Sequence, residues 1–309
     1  MRYDTVTLLS DLGTDDEAAG VVRAVLQDLA PGVRVIDLTH GVAPFDVRAG
    51  ALALARAIPY VPAGVVIAAV DPGAGSSRMV AVEVAGGRGV LLGPDNGLLA
   101  PAVAVVGGGE RAVVLDDQSF HLSGPGGGPT TFAMRDVLAP VAAELCNGAA
   151  LDTLGTTVDP ADLLPGVVPL PHEEPGAEGR VLVGEVLSVD RFGNCELNIS
   201  PDDVRDAFGT LVGDRLQISF AGNVRSVLVV AGYDAIAAGS LALVADAAGM
   251  LAVAASRGSA AAEGPLGIGD QVVVGPARDD ATGATTTAVH LRQGRSAPVS
   301  SPACAPRSP

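Results

Sequence analysis

The chain has 309 residues, enough for two domains with sizeable cores. Its formal net charge is −16 and its basic residues are all Arg, which argues against a nucleic-acid backbone as partner and leaves small metabolites and proteins. The cysteines (Cys146, Cys195, Cys304) lack metal-like spacing and fit a reducing cytosol better than a disulfide framework, so a cytoplasmic protein is expected.

The chain opens on a strand-like run, Tyr3–Leu9, so no signal peptide is expected. Ser10-Asp11-Leu12-Gly13-Thr14-Asp15-Asp16 is a polar turn with several possible helix caps. Val21, Val22, Val25, Leu26 and Leu29 follow at helical spacing, and Pro31-Gly32 ends that helix. Val33–Leu38 reads as a second strand, Phe45–Ile58 as a second helix and Val65–Val70 as a third strand. This alternation predicts a parallel sheet. Two short strands follow at Met79–Ala85 and Gly89–Leu92, then a turn at Pro94-Asp95-Asn96-Gly97. Gly124–Pro129 is a Gly/Pro loop before a helix from about Phe132 to Leu145, which Pro140 should kink or delay.

From Leu163 to Gly179 the sequence is Pro-rich and acidic, as in a linker. Beyond it, Val181–Val189, Arg215–Phe220, Ser226–Val230, Leu251–Ala254 and Gln271–Val274 are short strand-like runs with no long helical segment between them. They predict a small all-β domain, a barrel. Asp234, Asp246 and several Gly interrupt the most apolar region, Ser226 to Ala255, and exclude a membrane span there. The expected organisation is an N-terminal α/β domain over 1–165 and a linker over 166–179. A C-terminal β-barrel then covers 180–276, and a disordered tail covers 277–309.

Several stretches could carry chemistry. Asp71 ends the third strand, where open α/β sheets place ligands, and Arg78 lies across the Gly loop from it. The pair can position a small polar group such as water, or form an ordinary loop salt bridge. Asp11, after the first strand, can accept both hydroxyls of a ribose or cap a helix. Asp190-Arg191-Phe192-Gly193-Asn194 sets a carboxylate, an aromatic face and a carboxamide together; it suits a purine and an ammonium, or a hairpin turn. Pro94–Gly97 reads as a turn and Thr130 or Thr131 as a helix cap. His40 reads as a buried or loop histidine bonded to backbone. There is no Gly-x-Ser-x-Gly elbow, no phosphate-binding Gly motif and no metal-ligand cluster.

In order and spacing, five stretches resemble the S-adenosylmethionine hydroxide adenosyltransferase family, the hydrolase relative of fluorinase and chlorinase. They are Ser10-Asp11-Leu12-Gly13, Ile36-Asp37-Leu38-Thr39-His40, Val70–Gly75, Pro94-Asp95-Asn96-Gly97-Leu98-Leu99 and Asp190–Asn194, and the resemblance runs from about Thr5 to Val274. It implies an N-terminal α/β sandwich domain with a mainly parallel sheet, a C-terminal all-β barrel, and a homotrimer with sites between subunits. It implies hydrolysis of S-adenosyl-L-methionine to adenosine and L-methionine, with that molecule as substrate and no cofactor, metal, nucleic acid or membrane partner. By resemblance Asp11 meets the ribose, Phe45 lies beside the nucleoside, and Asp190 holds the methionine ammonium. Phe192 and Asn194 match the adenine site, and Asp71 and Arg78 match residues that hold the attacking water. Halide-using relatives carry another residue at the Asp71 position, and the fluorinases an inserted loop after Arg78. This chain has Asp71 and no such loop, which favours water. The family's Thr-Phe-His-Gly-Arg-Asp reads Thr131-Phe132-Ala133-Met134-Arg135-Asp136 here. A proton-carrying His is thereby replaced by Ala133, and Met134 is expected to crowd the pocket. Asp246-Ala247-Ala248-Gly249 stands where relatives place a Ser for the methionine carboxylate. The alternative expectation is a silent family member that binds adenosine or the sulfonium without turnover.

Overall fold

The structure, a computed structural model, describes residues 3–73, 78–124, 130–176, 179–209 and 212–277. Apart from Gly124 and Ala277, the expected Gly/Pro loop and tail lie outside these residues.

The N-terminal half alternates as the periodicity predicts: β1 (Thr5–Ser10), α1 (Ala18–Leu29), β2 (Arg34–Thr39), α2 (Val47–Ala57) and β3 (Gly64–Ala69). The chain continues through β4 (Met79–Val84), β5 (Gly89–Pro94), α3 (Ala100–Val105), β6 (Gly109–Val114), α4 (Ala139–Asn147) and β7 (Thr156–Val158). The sheet order is β2-β1-β3-β5-β4-β6-β7. The first four strands run parallel, and β4, β6 and β7 pair antiparallel, so the sheet is mixed.

Side-chain alternation explains why this sheet needs helices on both faces. Val65, Ile67 and Ala69 of β3 face a core shared with Val22 and Leu26 of α1 and Val141 and Leu145 of α4. Val66 and Ala68 face the opposite core, with Leu54 of α2 and Ala102 of α3. The helix expected over Phe132–Leu145 opens with a π-helical turn, Met134–Leu138, and becomes α-helical at Ala139. Pro140 therefore sits in the first turn of α4, where its missing N–H removes no α-helical bond.

The C-terminal half is built from β8 (His172–Gly176), β9 (Gly179–Val189), β10 (Cys195–Leu197), α5 (Pro201–Phe208), β11 (Arg215–Phe220), β12 (Asn223–Val230), β13 (Leu241–Ala245), β14 (Leu251–Ala255), α6 (Ala260–Glu263) and β15 (Gln271–Pro276). Pairing of β9 with β10 closes seven of the strands into a barrel, and β8 extends it outside β9. The second half of the stretch expected as linker is thus a strand. α5 interrupts what read as an all-β run, and its start is a capping box between Ser200 and Asp203. Two Arg of α2 reach the barrel: Arg48 pairs with Glu185, and Arg56 with Glu196 at 2.7 Å. Among the described residues, no helix is long and apolar enough to cross a membrane.

Candidate functional site

The chain leaves β1, forms β2 on one side of it, and returns to form β3 on the other. The C-terminal ends of β1 and β3 therefore flank a topological switch point, the usual crevice of an open α/β sheet. Asp11 follows β1 and Asp71 follows β3, and parallel pairing of Ser10 with Ala69 brings them side by side.

Asp11 is not a helix cap: α1 starts at Ala18, whose amide donates to Asp16 Oδ1 at 2.9 Å. Its Oδ2 instead accepts the amide N–H of Phe45 at 3.1 Å and of Asp71 at 3.3 Å. Both of those residues are left-handed, with φ of 67° at Phe45 and 43° at Asp71. A non-Gly residue in that region costs roughly 1–3 kcal/mol, so one carboxylate holds two strained turns in place. The Phe45 ring is 75 % exposed. Next to it Asp46 caps α2 by accepting from Ala49 at 2.9 Å.

Arg78 immediately precedes β4 at the same edge, but it does not pair with Asp71. Its Nε donates to Asp95 Oδ2 at 3.0 Å, and its NH2 donates to the same oxygen. The salt bridge anticipated across the Gly loop is therefore absent, and Arg78 is held by the turn after β5. Asn96 of that turn donates through Nδ2 to the carbonyls of Val70 at 3.1 Å and Asp71 at 3.2 Å.

On the barrel, Asp190–Asn194 is the tight turn between β9 and β10. Asp190 Oδ1 accepts the amides of Phe192 at 2.8 Å and Asn194 at 2.9 Å, and Oδ2 accepts from Asn194 Nδ2 at 2.8 Å. Gly193 is required here: at φ 83° an added Cβ would lie 2.0 Å from Ser259 Oγ. The turn frees the Phe192 ring, which is 72 % exposed. Beside it lies a pocket of about 610 Å³ lined by Asp190, Phe192, Asn194, Tyr233, Ala255, Arg257 and Gly258. The sequence reading missed Tyr233 and Arg257; the only signal was their position in turns at barrel strand ends. Burial raises the Tyr233 phenol above its ordinary value, with the Asp246, Asp190 and Glu196 carboxylates adding to it, so it stays a hydrogen-bond donor. Asp246, Ala247 and Ala248 line an adjoining pocket with Asp190, Asn194 and Arg56. A carboxylate and a guanidinium, Asp190 and Arg257, thus share the first pocket and suit a zwitterionic amino acid.

Ala133 is half-buried against the N-terminal core, and Met134 is 1 % exposed within that core. Met134 belongs to the core cluster that also holds Leu138 and Ala69, two residues before Asp71. Thr130 caps the segment by accepting from the Phe132 amide at 3.0 Å and donating to Asp136. Burial alone would raise the Asp136 carboxyl, but bonds from Arg135 and Thr130 hold it below its ordinary value. His121 lies on the neighbouring segment, which is tied to Asp136 by the Leu122 amide at 2.8 Å. Burial lowers its imidazole below the ordinary range, and its Nε2 is buried without a partner among the described residues. It makes no hydrogen bond to Asp71 or Arg78 among the described residues.

His40 bonds to side chains and not to backbone as expected: Nδ1 to Ser10 Oγ at 2.7 Å and Nε2 to Asp37 Oδ1 at 3.3 Å. Ser10 is fully buried and its Oγ accepts the Leu12 amide, so the trio holds the Asp11 loop and is no nucleophile.

Two family models match the chain: the SAM hydroxide adenosyltransferase N-terminal domain over residues 6–155 and the C-terminal domain of the same name over residues 184–273. The chain is 40 % identical over 256 residues to the (R)-S-adenosyl-L-methionine hydrolase of Salinispora tropica, covering 83 % of this chain and 92 % of that protein. It is 26 % identical over 226 residues to the fluorinase of an Actinoplanes species, covering 65 % of this chain and 74 % of the fluorinase. A crystal structure of an uncharacterized conserved protein from Thermotoga maritima superposes with a TM-score of 0.76 at 27 % identity, covering 87 % of this chain and 99 % of that one.

Proposed function

The chain belongs to the SAM hydroxide adenosyltransferase family, and from that membership we infer that it is a hydrolase converting S-adenosyl-L-methionine into adenosine and L-methionine. The water oxygen attacks C5′, the C5′–S bond breaks with its electron pair going to sulfur, and methionine leaves as a neutral thioether. The water's second proton passes to a carboxylate or to solvent. A sulfonium needs no general acid to leave, so catalysis consists of desolvating it and aligning water with C5′.

In our assignment Asp11 binds the ribose diol, Asp71 orients the water, and Arg78 supplies positive charge at the same edge. Phe45 and Phe192 flank the nucleoside, Asn194 reads the adenine edge, and Asp190 with Arg257 holds the amino-acid end. The observation that carries this reading is the hydrogen bond that the Asp71 amide donates to Asp11 Oδ2, which couples the carboxylate assigned to the diol with the exposed carboxylate beside it. We place the site between subunits of a homotrimer. Two rings left 75 % and 72 % exposed, and a pocket lined by barrel residues alone, support a neighbouring chain completing it. We extend to this chain the preference for the (R) sulfonium epimer in the Salinispora relative's name, and place it in the cytoplasm.

Purified protein incubated with each sulfonium epimer, with adenosine followed by chromatography, tests the reading. Adenosine from the (R) epimer at the higher rate is expected. A silent nucleoside-binding protein, the reading favoured by Ala133, would bind adenosine in calorimetry and release none.

A further inference from the structure

We propose that the Pro94–Gly97 turn is the positioning element of the reacting pair, Asn96 fixing Asp71 and Asp95 fixing Arg78. The inference rests on the assignment of Asp71 and Arg78 above. In sequence the turn carries no chemistry; its meaning comes from sheet order. β5 lies between β3 and β4, so the chain leaving β5 emerges between Asp71, which follows β3, and Arg78, which precedes β4.

Each of the two residues grips one side. Asn96 Nδ2 donates to the carbonyls of Val70 and Asp71, while its Oδ1 accepts the Leu98 amide at 3.2 Å, which fixes the carboxamide's orientation. Asp71 is left-handed and exposed, so its geometry depends on the partners of its peptide groups: Asp11 on its N–H and Asn96 on its C=O. Asp95 is 5 % exposed at its side chain; Oδ2 takes both Arg78 donors, Oδ1 takes the Leu164 amide at 2.8 Å, and its own amide donates to the Arg78 carbonyl at 2.7 Å. The turn is itself clamped from outside. At Gly97, with φ 90°, an added Cβ would lie 2.9 Å from the Pro165 carbonyl oxygen. A half-buried turn whose Asp95 and Asn96 side chains are each hydrogen-bonded to the segments on either side is rigid support for two exposed functional side chains.

The test is a double-mutant cycle on the full chain. Asn96→Asp keeps the shape and removes the donor. It is expected to lower kcat roughly 10- to 100-fold, the scale of loss when a reacting group moves by about an ångström, with KM changed less than about threefold. Added to Asp71→Asn it should cost nothing further, because Asn96 acts through Asp71. Amide exchange in the peptide spanning Val70–Gly73 should quicken in Asn96→Asp, a readout independent of turnover. If Asn96→Asp folds poorly, Asn96→Ser, which retains a hydroxyl donor, should give an intermediate kcat. An unchanged kcat per folded molecule with only a lowered melting temperature would overturn the proposal, as would losses that multiply in the double variant. Asp71→Asn at the wild-type rate would instead refute the assignment of Asp71 itself, and the positioning role with it.

Discussion

Asp11→Ala offers the sharpest separation of a binding role from a structural one. The side chain does two things: Oδ2 holds the amides of Phe45 and Asp71, and Oδ1 makes no hydrogen bond among the described residues. Hydrogen bonds to a charged group contribute about 1.5–3 kcal/mol each, and partial exposure of this carboxylate discounts the pair, so losing two from a ribose diol should cost about 2–4 kcal/mol. At about 1.4 kcal/mol per tenfold, adenosine should bind roughly 30- to 700-fold more weakly. 2′,3′-Dideoxyadenosine lacks the diol and should lose only the effect of loosening the Phe45 and Asp71 turns, about fivefold or less. Isothermal titration calorimetry with both ligands on wild type and Asp11→Ala reads the difference. Equal losses for the two nucleosides would refute the ribose role and leave Asp11 as a clamp on two left-handed residues. Asp11→Asn, which keeps one acceptor, should retain more of the loop order than of the diol affinity.

Ala133→His should raise the hydrolysis rate with no change at Met134, because Met134 is buried in the core and its removal would open a cavity; a rate no higher than wild type would show that the position is not beside the water. If two chains share each site, mixing Asp71→Asn with Asn194→Ala subunits should restore part of the activity that each variant lacks, and no recovery after subunit exchange would count against the inter-subunit site. His121 is half-buried with its imidazole held below its ordinary value by that burial, so the unfolded chain binds the proton more tightly and the folded chain should lose stability as pH falls through the ordinary histidine range. The melting temperature of His121→Gln should fall less than that of wild type between pH 7.5 and 5, and identical slopes would contradict the assignment. Burial pushes the Cys195 thiol up to about 11, with Asp190 and Asp270 adding to it, so alkylation mapped by mass spectrometry at pH 8 should spare it in the native chain and modify it in urea.

The elements that were legible in the sequence are those with strong periodicity. β1, α1 and β3 appear where the apolar pattern places them, and the Asp11 and Asp71 positions follow from their ends. What was not legible depended on contacts distant in sequence. Arg78 read as a partner for Asp71 because the two are close along the chain. In space β5 intervenes between β3 and β4, and Asp95 arrives to take the guanidinium. The same distance hid Tyr233 and Arg257, whose short turns gain meaning only when the barrel closes beside Phe192. α5 was a local failure, since Ser200-Pro201-Asp202-Asp203 carries a helix start in plain sight.

Oxygen labelling tests the central claim most directly. Wild-type protein incubated with S-adenosyl-L-methionine in H₂¹⁸O should release adenosine and methionine in equal amounts, with ¹⁸O in the 5′-hydroxyl of the adenosine, because the water oxygen becomes bonded to C5′. Adenosine without the label, or no adenosine from a protein that binds the nucleoside, would contradict hydrolysis by water attack at that carbon.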